Sequence, residues 1–288
     1  MPSTTQSTYP TPFTWDKYAL YELCAQNPPR DAKLLRAIWQ NGQTGRAASR
    51  SDLTLGEDFC GTAALSRAWC DLLHRGRAIA VDNHPPTIAR ARESAANCPR
   101  LTLTQSDVHR VREKADLIAV LNFSICELHD RAALVKYFKH ARSRLRPKGC
   151  LICDLYGGSD AFETGLLDQG IKPPPSPHPG ARDKITYSWE QRACDPLTGR
   201  VVNAMHFEAI PTKATKRAPV VILNAFVYDW RLWSVPELRD AMAEAGFRIT
   251  EVYPREAGAM DSEGNLYARP IDDPNEVGDS FNVFVAGR

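Results

Sequence analysis

The sequence predicts an α/β fold in which a mostly parallel sheet of seven strands has a reversed last strand, and three observations support this. From residue 51 to residue 156, short apolar runs typical of buried strands alternate with segments whose apolar residues recur every three or four positions. The alternation stops between residues 157 and 233, and then one helix-like segment and two strand-like runs follow. Strands that alternate with helices form parallel sheets, whereas a strand that follows no helix pairs antiparallel with its neighbours.

The elements of this sheet follow one another in a regular order. The predicted strands are, in chain order, residues 51–56, 78–82, 101–107, 115–124, 150–158, 247–253 and 281–288. The predicted helices are residues 64–76, residues 87–97, a segment that begins after Asp130, and residues 234–246. Gly76 and Gly246 stand where glycine ends helices, Asp130 is a residue type that begins them, and Ser234 and Glu237 have capping-box spacing.

Residues 157–233 are predicted to form an antiparallel β insertion after the fifth strand. A proline-rich loop precedes three segments with alternating polar and apolar residues, 184–195, 201–210 and 220–230, which is typical of antiparallel strands. The predicted organisation is a disordered tail (1–14), an N-terminal helical segment or lid (15–50), a core (51–156 and 234–288) and the insertion as a cap (157–233).

The composition is that of a globular protein without a strong electrostatic bias. Of 288 residues, 43% are hydrophobic and 24% are charged, and the net charge of +2 neither requires nor excludes nucleic acid. No apolar run is long enough to cross a membrane, and the N-terminal residues lack a secretory pattern. Eight cysteines do not make a disulfide scaffold at this length, and only Cys150 and Cys153 have metal-ligand spacing. We expect a reduced, cytoplasmic protein without a metal and without a membrane.

The stretch "EDFCGTA", residues 57–63, lies between a predicted strand and a predicted helix. Such a corner binds ligands in open α/β sheets, but the glycine pattern of dinucleotide-binding proteins is absent here and only Gly61 is present. Asp82 ends the second strand, 21 residues after Gly61, where a carboxylate can accept both ribose hydroxyls. Asp107 ends the third strand and can accept from an exocyclic amine. Acidic residues at three successive strand ends predict a nucleoside with a positive charge.

The motifs "EDFCGTA", "AVDNHP", "QSDV" and "LNFS" resemble, in order, those of class I S-adenosylmethionine-dependent methyltransferases, which have a Rossmann-like fold. "DLYGG" and "YDWRLWSVPEL" are similar to a poorly characterised branch of that superfamily. The resemblance implies that Glu57 positions the methionine end of S-adenosyl-L-methionine, that Asp82 holds the ribose and that Asp107 holds the adenine amine. Phe59 and Ala63 replace glycines that are common at this corner. The cofactor-binding residues implied are Glu57, Phe59, Gly61, Thr62, Asp82, Asn83, Asp107, Val108, Asn122 and Phe123.

The acceptor is expected beyond the carboxyl ends of the fourth and fifth strands. His129 is the candidate general base because its ordinary pKa lies near neutrality, although a histidine at a helix start is also structural. Tyr156 is the second candidate catalytic residue. Tyr18 and Tyr21 form either a lid or a packing surface, and the aromatic residues at 228–233 form either an acceptor wall or a packed junction. The acceptor-side candidates are Tyr18, Tyr21, Ser124, Asp154, Tyr228, Trp230 and Arg231.

Three functions fit these patterns. The first is a methyltransferase that acts on a small-molecule acceptor, with no nucleic acid expected as a partner. The second is a nucleic-acid methyltransferase, which the near-neutral charge and the absence of an N-P-P-aromatic motif after the fourth strand disfavour. The third is a domain that binds the cofactor or a protein partner without catalysis. The identity of the acceptor atom and the oligomeric state are open at this point.

Overall fold

The structure, a computed structural model, describes residues 13–212, 217–255, 259–262, 264 and 266–288. Most of the predicted tail, residues 1–12, lies outside the described residues. The chain divides into two compact units. The smaller unit comprises the residues up to 25 together with 166–190 and 204–227, and the larger unit comprises 26–165, 191–203 and 228–288.

The helices and strands are numbered here in chain order. The α-helices are α1 (Lys17–Ala25), α2 (Pro28–Asn41), α3 (Ala64–Leu72), α4 (Pro85–Ser94), α5 (Arg131–Arg144) and α6 (Val235–Glu244). The strands β1 to β5 are Thr54–Asp58, Arg77–Asp82, Leu101–Gln105, Ala115–Val120 and Leu145–Gly158. The strands β6 to β9 are Gly165–Ile171, Lys184–Asp195, Arg200–Ile210 and Val220–Arg231. The strands β10 to β13 are Thr250–Pro254, Ala259–Met260, Leu266–Tyr267 and Ser280–Gly287.

The main sheet has seven strands in the order β10-β13-β5-β4-β1-β2-β3. Strands β3, β2, β1, β4 and β5 pair in parallel, and β13 pairs antiparallel with both β5 and β10. The predicted fold, a mostly parallel sheet with a reversed last strand, is therefore confirmed. The parallel register brings the carboxyl ends of β1, β2 and β4 to one edge, with Glu57 opposite both Ala80 and Ala119.

The apolar runs of the sequence form the core of the larger unit. All six residues of β4 are buried, and the apolar faces of α2 and α3 pack together in one cluster that includes Trp39, Leu55 and Trp69. Burial of large side chains stabilises by roughly 1.5–3 kcal/mol each. This core fixes the strand ends that carry the candidate site.

The second sheet is antiparallel, as predicted, and contains four strands in the order β6-β7-β8-β9. Strands β7, β8 and β9 match the three alternating segments of the sequence. Strand β6 was not predicted, because its residues are almost all exposed and do not alternate between polar and apolar. Within the part of the chain that the structure describes, no helix has the length and apolar character needed to span a bilayer.

One predicted helix cap is confirmed, and several other predicted caps and boundaries differ; α3, for example, ends at Leu72 and not at Gly76. Ser234 and Glu237 form the predicted capping box of α6. Asp130 precedes α5, but its side chain makes no capping hydrogen bond. Strand β4 ends at Val120, earlier than predicted, because the next residues turn into the left-handed region. Six non-glycine residues have positive φ in the described part of the chain: Phe59, Ala63, Asn122, Phe123, Lys148 and Asn224.

Candidate functional site

The corner between β1 and α3 is a tight turn with three left-handed residues. The φ angles of Phe59, Gly61 and Ala63 are 58°, 54° and 57°. A Cβ atom built on Gly61 would meet no atom within 4 Å. The backbone at Gly61 therefore borders open space, which is the room that a ligand needs to approach it.

Glu57 lies at the carboxyl end of β1 and is buried, with 6% of its surface exposed. Its Oε2 accepts hydrogen bonds from the backbone N–H of Ser66 (2.9 Å) and from the Ser66 hydroxyl (2.5 Å) in α3. Burial raises the pKa of Glu57 to about 7, and the two hydrogen bonds from Ser66 only partly offset that effect. Glu57 is thus a carboxyl group that titrates near neutral pH.

Asp58, the neighbour of Glu57, has a structural role. The alternation of a strand sends the two side chains to opposite faces. Arg144 Nη1 donates to both carboxylate oxygens of Asp58 at 2.7 and 3.0 Å, and the Tyr137 hydroxyl donates to Oδ2 at 2.8 Å. The buried charge of Asp58 is therefore balanced by α5, whereas the charge of Arg67 in α3 offsets the burial of Glu57 only in part.

Asp82 ends β2 beside the corner. Its Oδ2 accepts from the backbone N–H of Gly61 and its Oδ1 accepts from the backbone N–H of His84, both at 2.9 Å. A carboxylate has about four acceptor positions, so about two stay available for other donors. The next residue, Asn83, is exposed. Asp82 is thus held in place by two backbone hydrogen bonds, and its carboxylate can still accept hydrogen bonds from a ligand.

Asp107 follows β3 and is the N-cap of a short 3₁₀ turn. Its Oδ1 accepts from the backbone N–H of His109 at 2.8 Å and lies 2.9 Å from the His109 ring Nδ1. The backbone hydrogen bond from His109 lowers the pKa of Asp107, and its side chain is 56% exposed. Val108, the next residue, is buried.

Thr62, in the corner after β1, is buried and its Oγ1 has no hydrogen-bond partner among the described residues.

The turn after β4 is held by Asp154, which is fully buried in β5. Asn122 and Phe123 have φ angles of 58° and 61°. The Asn122 N–H donates to Asp154 Oδ2 at 3.0 Å, and the Phe123 N–H donates to Oδ1 at 2.8 Å. Ser124 Oγ donates to the carbonyl oxygen of Leu121 at 2.8 Å. Asp154 therefore fixes the backbone of this turn with both of its oxygens.

Aromatic side chains gather beside this turn. The ring of Phe123 meets those of Tyr156 and Trp230 edge-on, with centroids 5.0 and 6.1 Å apart. Tyr228 stacks on Trp230 at 4.3 Å, and the Trp230 indole N–H donates to Glu127 at 2.8 Å. Four of the predicted site residues are thus brought together in one aromatic cluster.

Tyr156 also borders a cavity of about 400 Å³ in the larger unit. The Tyr156 hydroxyl accepts a hydrogen bond from the Asn203 side-chain amide at 3.2 Å, and burial raises the pKa of Tyr156. The cavity wall is mostly apolar and includes Trp233 and Phe281, with Arg231 as a charged residue. Its volume falls within the range of small-molecule sites, which is roughly 300–1,000 Å³.

His129 has hydrogen-bond partners on both ring nitrogens. Nδ1 lies 2.8 Å from Arg200 Nη1, which can only donate, and Nε2 lies 2.7 Å from the carbonyl oxygen of Asp229. Nδ1 is therefore the acceptor and Nε2 carries the proton. Arg231 Nη1 donates to the His129 carbonyl oxygen at 3.0 Å. In this arrangement His129 joins the loop before α5 to β8 and β9.

Tyr18 and Tyr21 belong to the smaller unit. Both rings contact Phe226 of β9, with centroids 6.0 and 5.0 Å apart, and the Lys17 ammonium lies over the rings of Tyr18 and Phe226. These contacts pack α1 against β9 within that unit.

Two residues that surround Asp154 were not identified from sequence patterns. Arg255, directly after β10, forms an ion pair with Asp154, and its Nη2 lies 3.6 Å from Asp31 of α2. Neither residue belongs to a motif, and Arg255 and Asp154 are 101 positions apart. The buried position of Asp31 on the apolar side of α2 is the one signal that could have identified it.

Residues 58–149 match the sequence model of the family described as "Methyltransferase domain". No curated protein sequence matches the chain. Among solved structures, DesVI of Streptomyces venezuelae has a TM-score of 0.65 at 14% identity, covering 96% of this chain and 99% of DesVI. CalS10, an amino pentose methyltransferase from Micromonospora echinaspora, has a TM-score of 0.62 at 15% identity, with 97% and 100% covered. The sugar N-methyltransferase KedS8 from Streptoalloteichus has a TM-score of 0.61 at 15% identity, with 100% and 98% covered.

The fold, the strand-end carboxylates and these similarities define a class. The chain has the fold of class I S-adenosylmethionine-dependent methyltransferases, and residues 58–149 match the sequence model of a methyltransferase domain. The expectation that followed from the sequence motifs is confirmed at that level.

Proposed function

We propose that this protein transfers a methyl group from S-adenosyl-L-methionine to a small-molecule acceptor. The observation that carries the proposal is the corner at Gly61. There the backbone borders open space, and Asp82 stands beside it with acceptor capacity left. A ribose that offers two hydroxyl groups fits a carboxylate in that position.

The residues present fit the rest of the cofactor. Asp107 presents an exposed carboxylate at the end of the neighbouring strand, where an adenine amine can donate to it. Thr62 has a buried hydroxyl oxygen without a partner in the described structure, and Glu57 places a carboxyl group at the end of β1. Together with Asp82, the carboxylates of Asp107 and Glu57 complement an adenine, a ribose and a methionine ammonium in the order β3, β2, β1 in which the strands lie.

S-adenosylmethionine supplies an activated methyl group on a sulfonium whose sulfur is a good leaving group. The protein's task is then to hold the acceptor atom in line and to exclude water. The cluster of Phe123, Tyr156, Tyr228 and Trp230 offers an apolar wall for this purpose. The adjoining cavity has the volume of a small-molecule site.

The geometry favours Tyr156 over His129 as the residue that orients the acceptor. Burial raises the pKa of Tyr156, so its hydroxyl keeps its proton at neutral pH and can donate to an oxygen or nitrogen of the acceptor. The Nδ1 atom of His129 accepts from Arg200, and it would have to lose that partner before it could take a proton. His129 is therefore proposed as a supporting residue of the loop.

A small-molecule acceptor is favoured over nucleic acid. The net charge of +2 gives no strong basic field, and two similar structures are described as sugar methyltransferases. An amino sugar or another polyhydroxylated amine fits a cavity whose wall combines aromatic rings with the tyrosine hydroxyl and the arginine guanidinium.

The test incubates the protein with methyl-labelled S-adenosylmethionine and pooled metabolites that include amino sugars. Label is expected to move to a small molecule. With the acceptor so found, Tyr156→Phe is expected to lower turnover about tenfold or more while the dissociation constant of S-adenosylhomocysteine stays within about threefold, because the lost bond is to the acceptor. His129→Ala is the matched variant, and its turnover is expected to fall by less than that of Tyr156→Phe. If calorimetry shows no binding of S-adenosylhomocysteine to the unmodified protein, the proposed function is wrong.

A further inference from the structure

The turn after β4 holds Phe123 in a conformation that its residue type does not favour. Asn122 and Phe123 are consecutive, neither is glycine, and both have positive φ. A left-handed conformation costs a residue such as phenylalanine roughly 1–2 kcal/mol, whereas asparagine tolerates it more readily. A conformation of this kind persists only where the surroundings hold it, and strained residues of this kind occur at functional sites. Here the holding group is Asp154, which accepts from both backbone N–H groups.

Asp154 can do this only while it is ionised. A protonated carboxyl group turns one of its oxygens into a donor, which would face a backbone N–H. The carboxylate is fully buried, and burial raises its pKa, so it needs a cation close by to stay charged. Arg255 is that cation, and its Nη1 pairs with Asp154 Oδ2.

Arg255 is itself held in three directions. Its Nη2 lies 3.6 Å from Asp31 of α2, which is 8% exposed, and its guanidinium carbon lies 5.6 Å from the centroid of the Phe284 ring in β13. The same carbon lies 5.8 Å from the centroid of the Phe123 ring. Arg255 thus contacts both the carboxylate that fixes the turn and the aromatic ring that the turn presents.

We propose that Arg255 is a positioning residue for the acceptor: by keeping Asp154 ionised, it holds the Asn122–Phe123 turn and aims the Phe123 ring at Tyr156 and Trp230. This inference rests on the proposed function, since it assigns the Phe123 ring to the wall of the acceptor site. Asp31 anchors Arg255 from α2, so a helix outside the methyltransferase motifs takes part in shaping the site.

This role moves Asn122 and Phe123, which the family resemblance placed on the cofactor side, to the acceptor side of the site. The hydrogen bonds of Asp82 go to Gly61 and His84, and none of the contacts of Asp154 includes them. Loss of Arg255 is therefore expected to loosen the turn after β4 while the ribose position at the end of β2 is kept.

The experiment compares Arg255→Gln, which removes the charge, with Arg255→Lys, which keeps it. Hydrogen exchange is followed by mass spectrometry in peptides that cover residues 117–128 and 77–84, and the affinity for S-adenosylhomocysteine is measured by calorimetry. In Arg255→Gln, exchange at Asn122 and Phe123 is expected to speed up about tenfold or more, with a smaller change in Arg255→Lys. Exchange in the β2 peptide is expected to be unchanged, and the affinity is expected to stay within about threefold.

Arg255→Gln leaves a buried charge unpaired, so a second variant covers the case in which it does not fold. Asp154→Asn combined with Arg255→Gln removes both charges and leaves one carbonyl oxygen for two N–H donors. It is expected to fold and still to show faster exchange at Asn122 and Phe123. Slow exchange at these residues in the folded double variant would overturn the positioning role. Absence of S-adenosylhomocysteine binding to the unmodified protein would instead contradict the proposed function.

Discussion

Asp82 is the residue whose replacement tests the cofactor site most directly. Asp82→Ala removes the carboxylate proposed to accept two ribose hydroxyls, and the expected cost is about 2–3 kcal/mol, or about thirtyfold to a hundredfold in affinity. Calorimetry with S-adenosylhomocysteine measures it. Asp71→Ala, which removes an exposed carboxylate of α3, is the matched control and should leave the affinity unchanged. A change below about threefold in folded Asp82→Ala would remove Asp82 from the ribose site.

The raised pKa of Glu57 predicts that the stability of the protein depends on pH. Its pKa is raised from 4.5 to about 7 in the folded protein, so the folded state binds a proton more strongly than the unfolded state. Its contribution to stability is therefore complete below pH 4.5 and is lost as the pH rises through 7. Relative to Glu57→Gln, the protein should lose on the order of 3 kcal/mol across this window.

Urea unfolding of the two proteins at several pH values measures this difference. Glu93→Gln, which alters an exposed carboxylate of α4, serves as the control. Its free energy of unfolding should differ from that of the unmodified protein by the same amount at every pH. If the difference for Glu57→Gln were also independent of pH, the pKa of this carboxyl group would not be raised by folding.

The residues of the site differ in how far the sequence revealed them. Asp82 and Gly61 could be predicted because strand ends and a glycine corner leave a local pattern. The partners of Asp154 could not be predicted, because Arg255 and Asp31 reach it from β10 and α2 and no spacing links them. The left-handed turn at Asn122 was missed for the same reason, since a distant carboxylate decides its conformation.

At the scale of secondary-structure elements, a buried ion pair connects α5 to β1. Arg144 and Asp58 are 2% and 0% exposed at their side chains. Arg144→Met leaves the carboxylate of Asp58 buried with the Tyr137 hydroxyl as its one side-chain donor among the described residues, and the free energy of unfolding should fall by about 3–5 kcal/mol. Urea unfolding measures it.

A second arginine of the same helix provides the control for that experiment. Arg131 pairs with Glu244 at the surface, where the two side chains are 52% and 47% exposed. Arg131→Met should cost less than about 1 kcal/mol. Equal losses in the two variants would mean that the Arg144 pair contributes no more than a surface contact.

For the whole molecule, binding at the corner should raise resistance to heat. A ligand that binds only the folded state at about 100 times its dissociation constant adds about 2.7 kcal/mol to the free energy of unfolding. S-adenosylhomocysteine should therefore raise the melting temperature by several degrees in a thermal scan, and the same concentration should have little effect on Asp82→Ala. A melting temperature that does not respond to S-adenosylhomocysteine would contradict the cofactor assignment.

The left-handed residues also tell a protein engineer where stability can be gained. Of the six non-glycine residues with positive φ in the described structure, four lie in the turns that follow β1 and β4, whereas Lys148 lies in the exposed first part of β5. Glycine adopts this conformation without steric cost, so Lys148→Gly should relieve roughly 1 kcal/mol of strain. Glycine at Phe123 would relieve a similar strain but delete a ring of the acceptor wall. A library selected for heat resistance is therefore expected to keep Lys148→Gly and to reject glycine at Phe123, which would also lose the packing of the ring against Tyr156 and Trp230.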